Sequence, residues 1–227
     1  MNWRWDVVQE AWPVILLEGA RMTLMISALG ILFGTVIGAM VGLLRSRRPD
    51  SLVMRLLYGA AGGYIELIRG TPFLVQLYLV NYGAPMFFDI NIPELTAGIA
   101  AISLNSGAYV AEIFRAGIQS VDKGQMEAGR SLGLNYVQTM RHIIMPQALK
   151  RSLPPLANEF ITLIKESSVV SVLGIKEMSF MGKIVGSSFY APFEPMAVVT
   201  VGYLVLTFVT SKGVRFLERR LKTGDQH

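Results

Sequence analysis

Apolar residues in this chain come in long blocks divided by short polar ones, the pattern of segments immersed in lipid. The clearest block is Met22 to Leu44, MTLMISALGILFGTVIGAMVGLL, 23 residues without a charge. At about 1.5 Å rise per residue, such a helix crosses a ~30 Å hydrocarbon layer with some tilt. Its small residues, Gly30, Gly34, Gly38, Ala39 and Gly42, permit close helix packing, and Gly34 with Gly38 forms a GxxxG pair. RSRRPD then stops the block abruptly. Four further blocks run from about Leu52 to Val80, Leu95 to Phe114, Leu153 to Ile175 and Met196 to Phe216. The expectation is an all-α integral membrane protein with five transmembrane helices, a single membrane domain over residues 1–227 with no internal repeat and no soluble domain.

Charge orients these spans. The chain holds 21 Lys and Arg against 16 Asp and Glu, and only 16% of its residues are charged while 52% are hydrophobic. Arg45, Arg47 and Arg48 fall on one side, with Lys123, Arg130, Arg141, Lys150 and Arg151, and then Arg215, Arg219, Arg220 and Lys222. The opposite loops, residues 81–94 and 176–195, carry only Lys176 and Lys183 as cations. The positive-inside rule therefore places the N-terminus outside and the C-terminus in the cytoplasm. It also accounts for the basic balance through membrane loops, so nucleic acid is not an expected partner. Residues 1 to 20 are expected along the outer interface, where Trp3, Trp5 and Trp12 suit the headgroup layer. They lack a cationic n-region before an apolar core, so no cleaved signal is apparent. There is no cysteine, which excludes disulfides, thiolate catalysis and Cys-ligated metals, and the two histidines are His142 and His227.

The long polar interruption, residues 121–150, is the unusual one. Asp122 is placed to cap a helix from Lys123 to Leu132, Gly133 to end it in a left-handed turn, and Asn135 to cap a second segment, Tyr136 to Met145, that stops before Pro146. An ordinary amphipathic connector would look similar. No GxxxxGK[ST] occurs anywhere, so the chain has no P-loop of its own. The run EAGRSLG, Glu127 to Gly133, followed by IIMP at Ile143 to Pro146, resembles the EAA loop of permease subunits from ABC importers, with Gly129 in place of the second alanine and Met145 in place of a leucine. RGTPFLVQL, AEIFRAGIQSVDKGQ, QALKRSLPPLANEF and IKESSVVSVLGI resemble the polar amino-acid branch of that family, and together these stretches span roughly residues 60 to 180.

That resemblance implies a type I ABC importer permease fold in which the loop's first helix is a coupling helix, with Glu127, Ala128 and Gly133 at the contact with an ATPase. It implies a cytoplasmic ATP-binding subunit dimer, a second permease subunit (the same or paralogous), an extracytoplasmic substrate-binding protein, and a bacterial inner membrane. No cofactor is expected in this chain; ATP and Mg belong to the partner ATPase.

Ionisable groups within lipid are costly and need a reason. Counting along each span brings Glu66, then Ser103, Asn105 and Ser106, then Lys165, Glu166, Ser167 and Ser168 to similar depth. Gly70 and Pro72 weaken the second span beside them and free backbone groups. A zwitterionic amino acid needs acceptors for its ammonium and donors for its carboxylate, so Glu66, Asn105, Ser106, Glu166 and Ser167 are the candidate substrate contacts. Arg69 and Lys165 are read as structural, Arg69 pairing with Glu66 on one helix face. Glu159 is placed nearer the cytoplasmic end, lining an inner gate. Glu112 with Arg115, and Glu18 with Arg21, are each three apart and are expected as ion pairs, the latter anchoring the outer mouth of the first span. The alternatives are an ABC permease for a different small polar solute, a channel, and an intramembrane enzyme. Against the last stands the absence of GxSxG and HExxH.

Overall fold

The computed structural model of the protein describes residues 3–46 and 49–222. Arg47 and Arg48, two of the orienting cations, and the C-terminal His227 lie outside the described residues. Among the described residues the secondary structure is entirely helical. Helix α1 (Trp5–Pro13) passes through a π-helical turn, Val14–Gly19, into α2 (Ala20–Arg45), making one helical run of 41 residues. Pro13 cannot donate a backbone hydrogen bond and its ring crowds the preceding turn; the wider π turn begins directly after it.

The N-terminal residues are therefore more than a surface strip. Val7, Ala11 and Ile15 are 0% exposed and pack with α9 (Met178–Ser188) and α10 (Phe193–Lys222) in one apolar cluster. The three tryptophans stay exposed, Trp3 meeting Phe193 at the start of α10 edge-on. Glu18 and Arg21 form no ion pair: the π turn ending at Gly19 removes the i,i+3 geometry that their spacing suggested.

The apolar block Leu52–Val80, expected as one span, is two helices, α3 (Leu52–Arg69) and α4 (Phe73–Phe88). Gly70 closes α3 by donating to the Glu66 carbonyl at 2.8 Å, and Pro72 is extended, with φ −64° and ψ 138°. The chain continues through α5 (Glu94–Gln119), α6 (Lys123–Ser131), the single turn α7 (Tyr136–Thr139), a π-helical turn Met140–Ile144, α8 (Met145–Glu166) and a 3₁₀ segment Ser167–Leu173. The segment after Asn135 was expected to stop before Pro146. It instead runs on unbroken into α8, the π turn widening the helix where the proline would otherwise clash.

Helices α2 and α5 form the centre and share the most extensive contact of the fold. Gly30, Gly34, Gly38 and Gly42 are all buried on the α5-facing ridge of α2. A Cβ at Gly34 would meet Ser106 Cβ at 2.8 Å, and one at Gly38 would meet Val110 Cβ at 2.5 Å. One helix backbone thus lies directly on the other's side chains, the close approach small residues allow where lipid offers no hydrophobic drive between helices. Trp5–Arg45, Glu94–Gln119 and Phe193–Phe216 are long and apolar enough to cross a membrane. Helix α3 carries Arg55, Glu66 and Arg69, and α8 carries Lys150, Arg151, Glu159, Lys165 and Glu166, so neither reads as an unbroken lipid-compatible run.

One buried carboxylate ties α9 to α10. Glu177, 0% exposed, caps α9 by accepting from the backbone N–H groups of Ser179 (2.9 Å) and Phe180 (2.7 Å), and it accepts the Tyr203 hydroxyl of α10.

Candidate functional site

The interruption between α3 and α4 leaves backbone carbonyls without helical partners, and Gln76 satisfies them. Its Nε2 donates to the Ile68 carbonyl at 2.7 Å and to the Thr71 carbonyl and hydroxyl at 3.0 Å each. Its Oε1 accepts from Asn105 Nδ2 at 2.8 Å. Gln76 is 5% exposed and Asn105 3%. The amide of the sequence-predicted Asn105 is thus engaged in holding the break, while its Oδ1 has no hydrogen-bond partner among the described residues. Ser106 Oγ, next along α5, is equally buried and equally unpaired. A buried polar atom left without a partner costs of order 1–3 kcal/mol, so each is a group that a further polar partner would stabilise. The Glu159 carboxylate comes within electrostatic reach of Ser106 without completing a hydrogen bond.

Glu159 opens onto a cavity of about 620 Å³ that also involves Arg69, Tyr109, Glu112, Ser120 and Arg151. Arg69 was expected to pair with Glu66; it lies instead 3.6 Å from Glu112 on α5, with its guanidinium 5.5 Å from the Tyr109 ring centre. Glu112 is oriented by Arg115, which reaches both carboxylate oxygens, at 2.9 and 2.6 Å, so that expected pair is present. A half-buried carboxylate already held in a fork attracts Arg69 more than an exposed i,i+3 neighbour, whose pairing is worth only a few tenths of a kcal/mol. Arg151 of α8 donates to the Ser120 carbonyl at one rim of the cavity. The cavity presents fixed cations and fixed carboxylates together, the complement of a zwitterion.

The other predicted contacts stand apart from it. Glu66 is exposed and outside the cavity lining. Glu166 is half-buried, seven residues beyond Glu159 on α8 and close enough for their charges to interact. Ser167 is buried, and its hydroxyl donates to the Ile164 carbonyl at 2.8 Å as the chain leaves α8. Lys165 is exposed. Sequence reasoning missed Gln76. Its signal was present: one amide in the apolar run FLVQLYLV, four residues after a proline that breaks a helix.

The polar loop is built as its caps predict. Asp122 accepts from the Gly124 N–H at 2.6 Å, Gly133 is left-handed at φ 83°, and Asn135 with Gln138 forms a reciprocal capping box at 2.9 Å in each direction. Glu127 and Ala128 face outward on α6, beside an 81% exposed Leu132. Gly129 lies beneath them, and a Cβ there would meet Thr139 Cγ2 at 2.6 Å, so glycine lets α6 sit close to the following turn. Val121, Ile144 and Ala148 form a small core that seats the loop on α5 and α8.

This combination, an all-helical membrane bundle with a capped, outward-facing loop helix beside a charged cavity, defines a transport subunit. The chain matches the family described as "Binding-protein-dependent transport system inner membrane component" over residues 30–223, and it belongs to that family. It is 41% identical over 230 aligned positions to the glutamine transport system permease protein GlnP of Escherichia coli (strain K12), covering 98% of this chain and 99% of that one. It is 36% identical to the arginine transport system permease protein ArtQ of Bacillus subtilis (strain 168), covering 92% and 94%. A crystal structure of an amino acid ABC transporter with histidines superimposes with a TM-score of 0.89 at 42% identity, over 97% of this chain and 100% of that chain. The MetNI methionine ABC transporter in an inward-facing form shares the fold, with a TM-score of 0.75 at 22% identity over 91% and 96%. The fold is therefore that of a type I ABC permease, and the chain is a transport subunit whose ATP hydrolysis belongs to a partner ATPase.

Proposed function

We propose that this chain imports a polar amino acid through the cavity between α3, α5 and α8, alternating between outward and inward states as a partner ATPase closes against α6. The observation that carries the reading is the cavity itself, bounded by Arg69 and Arg151, Glu112 and Glu159. A substrate carboxylate fits the guanidinium side, and a substrate ammonium fits Glu159. Glu166 and Ser167 lie further along this path, and Glu66 serves it only if the helices rearrange. The names of GlnP and ArtQ, a glutamine and an arginine permease, support an amino-acid cargo.

In this reading five segments cross a bacterial inner membrane, the N-terminus is outside, and loop 121–150 is cytoplasmic. Glu127, Ala128 and Gly133 form the ATPase contact, and the chain pairs with a second permease subunit, the same or paralogous, beneath an extracytoplasmic binding protein. Lipid is its other partner. ATP and Mg are held by the ATPase, and this chain carries no cofactor.

The test is ATPase activity of the complex in nanodiscs with its binding protein, screened against a panel of amino acids. One chemical class should stimulate hydrolysis, and Glu159→Gln should weaken that stimulation roughly tenfold or more, the loss expected for a charge-assisted contact. Glu127→Lys should lose the co-purifying ATPase while the chain still inserts. Normal stimulation in Glu159→Gln would remove this residue from the substrate path. If the ATPase co-purifies and no amino acid stimulates it, the cargo class is wrong.

A further inference from the structure

A second cavity, about 520 Å³, lies away from the charged one, between the end of α2, the start of α3 and the stretch of α7 and the π turn that follows α6. Its volume falls within the ~300–1,000 Å³ of ligand pockets. Leu43 and Leu44 from α2, Met54 from α3, and Val137 and Met140 from α7 and the π turn supply an apolar wall; among the described residues Arg141 is the only charged one that lines it. Arg141 is exposed and makes no hydrogen bond or ion pair among the described residues. By contrast Arg45, at the end of α2, is occupied, with its guanidinium 4.1 Å from the Tyr58 ring centre.

We infer that this cavity binds an anionic phospholipid, one acyl chain along the apolar wall and the phosphate at Arg141. Three observations choose that occupant. The wall is continuous with apolar surface that faces outward on α2 and α3, where Met40 is 69% exposed and Leu52, Val53 and Leu56 are 73%, 66% and 67% exposed. The cavity lies at the end of the longest apolar run, where the orienting cations gather, and hence at headgroup depth of the leaflet they face. Among the described residues its one charge is positive, as expected of a basic pocket between membrane helices that takes a lipid headgroup. A peptide of the ATPase would have to enter past the lipid-facing ends of α2 and α3. The bound lipid braces Tyr136–Ile144, the segment directly after the coupling helix, against those two helix ends.

The experiment uses the whole permease–ATPase complex, equilibrated in mild detergent with equal amounts of phosphatidylglycerol and phosphatidylcholine, and counts retained lipids by native mass spectrometry. Wild type should retain phosphatidylglycerol in preference. Arg141→Gln should reduce that preference about fivefold, the effect of one basic group at a membrane surface. Arg141→Lys should keep most of it. Val137→Trp, and the milder Met140→Phe, should reduce the retained lipid by filling the cavity.

The proposal is overturned if Arg141→Gln keeps the wild-type preference. It is equally overturned if Arg21→Gln, at the other end of the first span, lowers the preference as much, because the effect would then be general charge. Val137→Trp or Met140→Phe that sheds the ATPase while keeping its lipid would assign the cavity to the ATPase instead. Lipid retention is measured without transport, so its failure leaves the import reading standing.

Discussion

At the residue scale, the side chain that most shapes the site is Gln76, a group that touches no charge. It closes the Ile68 and Thr71 carbonyls and fixes Asn105, so the helix break and the polar step on α5 are one hydrogen-bonded unit. Gln76→Ala would leave the Ile68 carbonyl and the Asn105 amide unpaired in a buried place. The expected loss is about 1–3 kcal/mol of stability, read as a lowered thermal midpoint of the purified protein in detergent. An unchanged midpoint would mean that water or lipid headgroups satisfy the break. The same scale shows why Arg69 and Glu66, neighbours by spacing, do not pair: Glu112 reaches Arg69 from another helix and is already held by Arg115. Spacing finds partners within a helix and is blind to those across helices.

At the element scale, the stability of the bundle centre rests on how closely α2 approaches α5. Gly38→Ala places a methyl carbon 2.5 Å from Val110 Cβ, and backbone must move to accept it. Overpacking of this kind costs roughly 1–3 kcal/mol. Gly63→Ala on α3 is the internal control, since a Cβ there meets nothing within 4 Å and replaces glycine by a better helix former. The first variant should unfold at lower temperature and the second at the same or higher temperature. Equal loss in both would assign the effect to α-helical flexibility instead of to the α2–α5 contact. The GxxxG of Gly34 and Gly38 was visible in the sequence, as a pair of small residues. That Gly30 and Gly42 extend it into a ridge along one partner is a property of the packed pair.

At the scale of the whole molecule, the orientation across the membrane is open to a direct test, because the chain has no cysteine. Ser131→Cys on the exposed face of the coupling helix and Tyr190→Cys, at a residue 94% exposed in the turn between α9 and α10, provide one label on each side. A membrane-impermeant maleimide added to right-side-out cells should label position 190 and spare position 131, with the pattern reversed in inverted vesicles. Labelling of both positions from the same side would overturn the orientation taken from the cations.

What the sequence determined by itself is what acts over a few residues. Hydropathy marks the long apolar runs, and Asp122, Gly133 and Asn135 write the polar loop, because caps and turns are satisfied by neighbours in the chain. The tertiary structure alone decided the rest. It carried the N-terminal helix unbroken into the first span and ran the segment after Asn135 past Pro146, each through a π turn. It buried Glu177 beneath Tyr203, gave Arg69 to Glu112, and set Glu159 before Ser106 where depth counting had favoured Glu166. Each outcome depends on which helices lie side by side and at what height, and side-chain pairing across helices follows that placement, which no local pattern records.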